Sequence, residues 1–253
     1  MAKKDCPQCE GTGWKPVETD GVRRVVRCDC HDQERAEVLL KRARIPRRYE
    51  HCAFENFDIW KDNQTLRWAK LNAERFVDEY PTDVGLLFIG TTGAGKTHLA
   101  VAILRELIIR KGVECLFYDF HDLLKAIRDS YNPVSQTSEL SILQPVLDVE
   151  VLLLDELAAS NPSDWVKETL QHIINTRYNQ KKITLITTTL FLDPPPGRGE
   201  TRQPGVAPLI QPTLDQLGAT LRSRLYEMCK LVEMNSDDYR KAIKQAGYRF
   251  PAE

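Results

Sequence analysis

Residues 90–97 have the composition and spacing of a phosphate-binding loop. They read Gly-Thr-Thr-Gly-Ala-Gly-Lys-Thr and match the pattern G-x-x-x-x-G-K-[ST]. In such a loop the backbone N–H groups point at phosphate oxygens, Lys96 contacts the β and γ phosphates, and Thr97 binds Mg²⁺. The alternative is a glycine-rich turn that binds nothing. The residues predicted to contact a nucleotide are Gly90, Thr91, Thr92, Gly93, Ala94, Gly95, Lys96, Thr97 and His98.

The sequence on each side of this loop decides between the two interpretations. Residues 84–89 form a short apolar run, which is typical of a buried strand. After the loop, apolar residues recur at the spacing of one helix face. These residues are Leu99, Ala100, Ile103, Leu104, Leu107 and Ile108. A strand, a glycine loop and a helix N-terminus in this order favour binding of a nucleoside triphosphate.

Two acids at the end of a second apolar run indicate hydrolysis of the bound nucleotide. Residues 151–156 read Val-Leu-Leu-Leu-Asp-Glu. In a parallel sheet such a strand is buried on both faces and ends beside the phosphate loop. Asp155 would then hold Mg²⁺ together with Thr97, and Glu156 would polarise the attacking water. An apolar strand ending in Asp-Glu is common by itself, but its place after a phosphate loop favours the catalytic interpretation.

Four of the seven cysteines form two close pairs, Cys6 with Cys9 and Cys28 with Cys30. Eighteen residues separate the pairs, and two segments within this interval have the pattern of a hairpin. A hairpin would bring four thiolates together in a tetrahedral site suited to Zn²⁺, which would stabilise a segment too short for a core. A redox pair is the alternative for the cysteines, and His31 is an alternative ligand to Cys30.

Length and composition limit the possible classes of protein. The 253 residues suffice for one α/β domain and a small appendage, with 42% hydrophobic residues for a core. The net charge of −1 gives no overall attraction for nucleic acid, so any contact with DNA would depend on local patches. No apolar stretch approaches a membrane span, and the start lacks a signal-peptide core, so we expect a cytoplasmic protein without a membrane partner. Cys52, Cys115 and Cys229 are then predicted to be buried thiols.

The remaining chain alternates between strand and helix patterns, which predicts an α/β fold with a parallel sheet covered on both sides. Strands are predicted at 114–118, 183–189 and 230–234. Helices are predicted at 121–128, 139–147, 165–178, 213–228 and 236–246, the last with Ser236 as its N-cap. Residues 193–212 contain six prolines and three glycines and are predicted to form an exposed loop.

Two features before the phosphate loop leave alternatives open. Residues 31–48 are predicted to form a helix that Pro46 ends. Its basic flank is either a solvated face or a contact surface for phosphate backbone or for an acidic partner. Phe54 and Phe57 either line an adenine pocket or pack in the core.

The order of these motifs resembles one known family. The matching segments are residues 44–49, 54–57, 93–100, 152–157, 223–225 and 237–240, preceded by the cysteine pairs. The chain resembles the AAA+ ATPases of the DnaC/DnaI helicase-loader group, which includes the IstB-type transposition helpers. The resemblance implies a P-loop ATPase domain at residues 49–253, with a three-layer α/β/α fold, a central five-stranded parallel sheet and no full lid domain. It also implies a zinc module with a basic linker helix at residues 1–48.

The resemblance assigns roles to three polar residues, and the two arginines among them would otherwise be interpreted as surface cations. Arg224 corresponds to an arginine finger that reaches the γ-phosphate of a neighbouring subunit. Arg240 corresponds to the sensor-2 arginine, which approaches the nucleotide of its own subunit. Thr189 stands at the sensor-1 position, where the group usually has Asn, so hydrolysis is expected to be slow. The full predicted catalytic set is Lys96, Asp155, Glu156, Thr189, Arg224 and Arg240.

The resemblance further implies a DNA-replication ATPase that loads a replicative helicase. Its cofactors would be ATP, Mg²⁺ and Zn²⁺, and its partners a helicase hexamer, single-stranded DNA and further copies of itself. The alternatives are an IstB-like transposition helper ATPase and a nucleotide-gated adaptor that does not bind DNA. The cysteine module favours the helicase loader, because transposition helpers generally lack it.

Overall fold

The computed structural model of the chain describes residues 5–19, 21–132, 134–157, 162–190 and 214–241. The predicted proline-rich loop at 193–212 lies outside the described residues, as does the part of the predicted last helix beyond residue 241. None of the described helices combines the length with the apolar composition that a membrane span needs.

A small antiparallel hairpin and a helix come first in the chain. Strands β1 (Trp14–Thr19) and β2 (Val22–Arg27) pair along their full length, as predicted for the interval between the cysteine pairs. Helix α1 spans Asp29–Arg42, so the prediction of a helix to residue 48 is wrong. The helix ends early because Arg44 adopts a left-handed backbone with a φ of +57°. A proline two positions later also prevents its continuation.

Five parallel strands form the central sheet. They are β3 (Gly85–Gly90), β4 (Cys115–Asp119), β5 (Val151–Asp155), β6 (Ile183–Thr188) and β7 (Cys229–Met234). Their spatial order is β4-β5-β6-β3-β7, which confirms the predicted five-stranded parallel sheet. Strands β3, β5 and β6 are buried at every residue, which is why their sequences are apolar or β-branched throughout.

Helices cover both faces of the sheet and complete three layers. They are α2 (Gln64–Glu79), α3 (Lys96–Lys111), α4 (Phe120–Ser130), α5 (Glu139–Asp148), α6 (Asp164–Asn179) and α7 (Ala219–Met228). One apolar cluster joins α1, α2 and α3 to one face of the sheet, and a second joins α4 to α7 to the other. Phe88 belongs to the first cluster and its neighbour Leu87 to the second, because successive side chains of a strand alternate between faces.

The predicted helix at 213–228 is interrupted in the structure. Leu214–Leu217 form a 3-10 turn, Gly218 has a φ of +98°, and α7 begins only after it. The leucines of the turn are nevertheless buried in the same apolar cluster as the inner face of α7. Periodicity could not reveal this break, because apolar spacings of three and four residues suit both kinds of turn.

The chain after β7 also differs from the prediction. Residues 235–238 are not helical, and the backbone N–H of Arg240 donates to the Asp238 carboxylate at 2.9 Å. Asp238, and not Ser236, therefore caps the turn that begins at Tyr239.

Arg177 of α6 is fully buried within the second helical layer. Its guanidinium donates to the backbone carbonyls of Val146 and Val149, each at 2.9 Å, and of Ile183 at 2.6 Å. It also donates to the hydroxyl of Thr184 at 3.0 Å. Burial lowers the pKa of Arg177 to about 9. The hydrogen bonds compensate for the desolvation of the guanidinium, and they also link the end of α5 to β6.

Candidate nucleotide site and cysteine cluster

The phosphate loop connects the carboxyl end of β3 to the first residue of α3. Gly95, just before the helix, has a φ of +96°, and a Cβ there would lie 2.6 Å from Cε2 of Phe57. Gly93 has a φ of +79°, and a Cβ there would lie 2.1 Å from a carboxylate oxygen of Asp238. Both positions require glycine. Phe57, before the loop in the chain, and Asp238, after it, pack too closely against the loop for a side chain at either position.

Lys96 lies at the centre of the loop and is 6% exposed. Its Nζ donates to the backbone carbonyls of Gly90 at 2.9 Å and Thr91 at 2.8 Å. Burial lowers the pKa of Lys96, while the nearby Glu156 and Asp155 act in the opposite direction. The ammonium group is thus held inside the loop, in the setting predicted for contact with phosphate.

The segment that follows β7 lies across the phosphate loop. The hydroxyl of Thr91 donates to the backbone carbonyl of Ser236 at 2.5 Å and accepts from its N–H at 3.1 Å. The N–H of Tyr239 donates to the carbonyl of Gly93 at 3.4 Å. These bonds place Arg240 in the lining of the same cleft as the phosphate loop.

The two predicted magnesium ligands contact each other at the carboxyl edge of the sheet. The hydroxyl of Thr97 donates to Oδ1 of Asp155 at 2.8 Å, and the hydroxyl of Thr187 donates to the same oxygen at 2.7 Å. Burial raises the pKa of Asp155, and these two hydrogen bonds oppose that change. A carboxylate and a hydroxyl at this distance provide the oxygen ligands that Mg²⁺ prefers. Their role as ligands stays a prediction.

Glu156 follows Asp155 and lines the cleft beside Lys96. Its backbone lies in the left-handed region with a φ of +52°, and its N–H donates to the hydroxyl of Thr187 at 2.9 Å. The hydroxyl of Thr189 donates to Oε1 of Glu156 at 3.1 Å. The predicted sensor-1 residue is therefore in contact with the predicted catalytic carboxylate.

A cleft of about 400 Å³ lies over the phosphate loop. Both Phe54 and Phe57 pack in the first core cluster, and Phe57 also lines the cleft. A contact of Phe57 with adenine stays a prediction. His98 also lines the cleft; its Nε2 lies 2.9 Å from the carbonyl oxygen of Ala53 and its ring meets that of Phe57 edge-on at 5.5 Å. Burial lowers the pKa of His98. The ring is positioned as part of the cleft wall.

The two predicted arginines occupy different places. Arg240 is part of the cleft lining. Arg224, on α7, does not line this cleft; its guanidinium donates to the side-chain carbonyl of Asn175 and lies 5.6 Å from the ring centre of Tyr178. The structure therefore brings Arg240 to the phosphate loop of its own chain, whereas Arg224 contacts residues of α6.

Sequence reasoning missed several residues of the cleft and its floor. Arg48 and Tyr49 line the cleft from the short 3-10 turn Arg47–Tyr49. Thr187 contacts both acids from β6, the neighbouring strand. The polar residue at the carboxyl end of β6 becomes a signal only once β6 is known to lie beside β5, because the two strands then end at the same edge of the sheet.

The four predicted zinc ligands lie together. All four cysteines are buried, and their sulfur atoms lie within 4.8 Å of one another. The Sγ of Cys6 is 3.7 Å from that of Cys28, and the Sγ of Cys9 is 3.4 Å from that of Cys30. Tetrahedral zinc with bonds of about 2.3 Å needs sulfur separations of about 3.8 Å, so the cluster fits this ion. The ligand group is complete without His31.

The three isolated cysteines differ in acidity from Cys6, although within the cluster the pKa of Cys28 is raised. Backbone N–H donation from Gln8 lowers the pKa of Cys6 to about 7, which favours the thiolate that a metal binds. Burial instead raises the pKa of Cys52 to about 11 and that of Cys229 to about 12. Cys115 is also buried, so the prediction of three buried thiols is confirmed.

A phosphate loop at the end of β3 and two acids at the end of β5 define, within this five-stranded parallel sheet, a P-loop nucleotide-binding protein of the AAA+ class. The family model described as IstB-like ATP binding protein matches residues 26–200, more than half of the chain. The chain belongs to this family. The resemblance inferred from its motifs is therefore confirmed.

Similar proteins point to the same group. The replicative helicase loader DnaC of Escherichia coli strain K12 is 30% identical over 141 residues, which are 55% of this chain and 56% of that protein. The chain thus spans about half the length of this relative. A crystal structure of the DnaC helicase loader has a TM-score of 0.61 at 30% identity and covers 75% of this chain and 99% of that chain. A structure of DnaI, at 21% identity and a TM-score of 0.58, shares the fold over 78% of this chain and 95% of that one.

Proposed function

We propose that this chain is a magnesium-dependent ATPase that loads a replicative DNA helicase. The observation that carries the proposal is the hydrogen bond of 2.8 Å from Thr97 to Asp155. It joins the phosphate loop to the acidic strand end, the two elements that ATP hydrolysis requires. The 30% identity to a protein named as a replicative helicase loader supports the choice of target.

The polar groups of the cleft have separate parts in the proposed hydrolysis. Lys96 and the backbone N–H groups of the loop bind phosphate oxygens. Thr97 and Asp155 would hold Mg²⁺, which neutralises charge on the phosphates when bound. Glu156 orients and polarises the attacking water. Arg240 adds positive charge from the segment after β7.

A second copy of the chain would complete the site. Arg224 lies outside the cleft of its own chain, on α7, so we infer that it acts on the nucleotide of a neighbouring subunit. Single-stranded DNA would promote this contact by aligning subunits along one backbone. Basal hydrolysis is expected to be slow, because Thr189 has a shorter reach than the usual Asn and already bonds to Glu156.

The cysteine cluster is proposed to bind one Zn²⁺ and to hold the module at residues 1–48 against the ATPase domain at 49–253. Ala36 and Leu39 of α1 pack in the first core cluster, so the linker helix shares the core of the larger domain. The module would then contact the helicase while the ATPase domain contacts nucleotide and single-stranded DNA. The packing of α1 would connect the helicase contact of the module with the nucleotide and DNA contacts of the ATPase domain.

A pull-down against a hexameric replicative helicase tests this function. Glu156→Gln should bind ATP, hydrolyse it at least tenfold more slowly and retain the helicase, because the amide cannot polarise water. Lys96→Ala should lose most nucleotide binding and the effect of ATP on retention. Arg110→Ala, at an exposed position of α3, is the matched surface control. Wild-type turnover by Glu156→Gln, or no helicase retained with or without ATP, would show the proposal to be wrong.

A second candidate function follows from the description of the matching family. The family model is described as IstB-like ATP binding protein, and the motif resemblance extends to IstB-type transposition helpers. In that role the chain would remodel DNA with a transposase. The same pull-down separates the two, because a transposition helper would retain DNA but no helicase. A nucleotide-gated adaptor would retain a protein partner in the presence of ATP without binding single-stranded DNA.

A further inference from the structure

Three consecutive threonines at the end of β6 and just after it, residues 187–189, all bond to the end of β5 or to the segment that follows it. Paired register between these strands ends at Leu154 opposite Ile186. Beyond that point the Thr188 hydroxyl donates to the carbonyl of Leu157 at 2.5 Å, and Thr189 donates to the Glu156 side chain. The N–H of Leu157 also donates to the backbone carbonyl of Thr187 at 2.7 Å. Threonine side chains therefore add to this backbone bond in holding the two acids.

Within this group we propose that Thr187 is a positioning residue for both acids. This proposal rests on the proposed ATPase function. Its hydroxyl lies 2.7 Å from Oδ1 of Asp155 and 2.9 Å from the N–H of Glu156. An N–H can only donate, so the hydroxyl accepts a hydrogen bond from Glu156 and donates one to the carboxylate of Asp155. One hydroxyl thus fixes the side chain of the first acid and the backbone of the second.

The surroundings make this hydroxyl difficult to replace. Thr187 is 0% exposed, so the contact lies away from bulk water. Glu156 is held at a φ of +52°, a conformation that non-glycine residues rarely adopt and that needs support from its neighbours. Asp155 has a second donor in Thr97, but Thr97 is also the hydroxyl predicted to bind the metal. Thr187 is therefore the donor free to stay on Asp155 when Thr97 turns to the metal.

Three variants separate the hydroxyl from the shape of the side chain. Thr187→Val keeps the shape and removes the hydroxyl, and Thr187→Ser keeps the hydroxyl and removes a methyl group. Thr169→Val is the matched control, because Thr169 is a buried threonine of α6. Within the described part of the chain its hydroxyl bonds only to the Trp165 carbonyl of its own helix, at 2.8 Å.

Two measurements do not depend on turnover. In Thr187→Val, the backbone amide of Glu156 should exchange hydrogen about tenfold faster, and half-maximal binding of a fluorescent ATP analogue should need about tenfold more Mg²⁺. Turnover should fall about tenfold to a hundredfold through kcat, with KM for ATP little changed because Lys96 is unaffected. Thr187→Ser should stay within about threefold of wild type, and Thr169→Val should match wild type.

The outcomes distinguish this inference from the proposed function. Thr187→Val with wild-type amide exchange and Mg²⁺ dependence overturns the inference, and so do equal defects in Thr187→Val and Thr187→Ser. If Thr187→Val does not fold, the difference between Thr187→Ser and Thr187→Ala isolates the hydroxyl in the same measurements. If wild type hydrolyses no ATP, the proposed function fails, while amide exchange and Mg²⁺-dependent binding still decide the role of Thr187.

Discussion

The sheet domain and the cysteine module are stabilised in different ways. In the sheet, β3 is buried at every residue and lies between two large apolar clusters. In the module, β2 is exposed at every residue, and the buried cluster formed there consists of four cysteines. Apolar packing therefore positions the nucleotide site in the sheet domain. In the module, the proposed zinc ligands themselves form the buried cluster.

Zinc removal should have the largest effect and should be confined to the module. Structural zinc contributes on the order of 10 kcal/mol to such small units, far more than the exposed hairpin can supply by packing. In Cys9→Ser, amides of β1 and β2 should lose protection from hydrogen exchange and zinc content should fall to near zero. Amides of β3 should remain protected. Cys115→Ala, in the sheet, should keep its zinc.

The comparison would fail if Cys9→Ser kept one zinc per chain. It would also fail if β3 lost protection together with the hairpin, because the two regions would then form one cooperative unit.

Arg224→Ala tests whether the catalytic site of one sheet domain needs an arginine from a second copy of the chain. An arginine acting between subunits contributes on the order of 10³-fold to related phosphoryl transfers. The variant should bind ATP normally and lose most DNA-stimulated turnover, and mixing it with Lys96→Ala should partly restore activity. Arg222→Ala, two positions away, should have a small effect. Specific activity measured against protein concentration completes the test.

This assignment would be contradicted if the mixture of Arg224→Ala and Lys96→Ala were inactive and the specific activity of wild type did not depend on protein concentration. The catalytic site would then be complete within one chain.

Arg177→Met should weaken the sheet domain without affecting the module. It leaves the carbonyls of Val146, Val149 and Ile183 without their buried donor, so the free energy of unfolding should fall by about 3 kcal/mol. Urea denaturation measures this change, and metal analysis should show unchanged zinc. Arg110→Met, which removes an exposed ion pair, should change stability by less than about 1 kcal/mol. Equal effects of the two substitutions would contradict the role given to Arg177.

The smallest expected effect is a loss of stability in alkali that originates in the sheet domain. Burial raises the pKa of Cys229 from its ordinary value of 9.0 to about 12, so folding favours the neutral thiol. This contribution is complete below about pH 9 and is lost as the pH rises towards 12. Cys229→Ala should therefore lose less stability than wild type between pH 8 and about 10 in urea denaturation. An equally steep decline in both proteins would exclude Cys229 as a source.

The parts of the fold that follow from local pattern were predictable from the sequence. The strand predicted at 183–189 is β6, Ile183–Thr188, and the four cysteines meet as their spacing indicated. Gly218 interrupts a predicted helix because a 3-10 turn preserves the same apolar spacing. Arg177 could not be predicted as buried, since a charged residue on an amphipathic helix normally faces solvent.

The missed parts of the candidate site depend on contacts between distant segments. Tyr49 lines the cleft together with Arg240, which the family resemblance had indicated but no local pattern had. Arg240 reaches the cleft because β7 lies beside β3 and directs the following residues back across the phosphate loop. No local periodicity encodes such a meeting. Thr187 was interpreted only as a strand former, because its contact with Asp155 requires knowledge of which strands are neighbours.

The segment after β7 has a consequence for the order in which the chain folds. Thr91 and Ser236 are 145 residues apart in sequence, yet they exchange two hydrogen bonds. Contacts of such long range form late, because the intervening chain must first be ordered. During synthesis the phosphate loop leaves the ribosome long before the residues that lie across it. A nascent chain would therefore acquire its complete nucleotide site only after residues 235–241 have left the ribosome, when its core strands have already been synthesised.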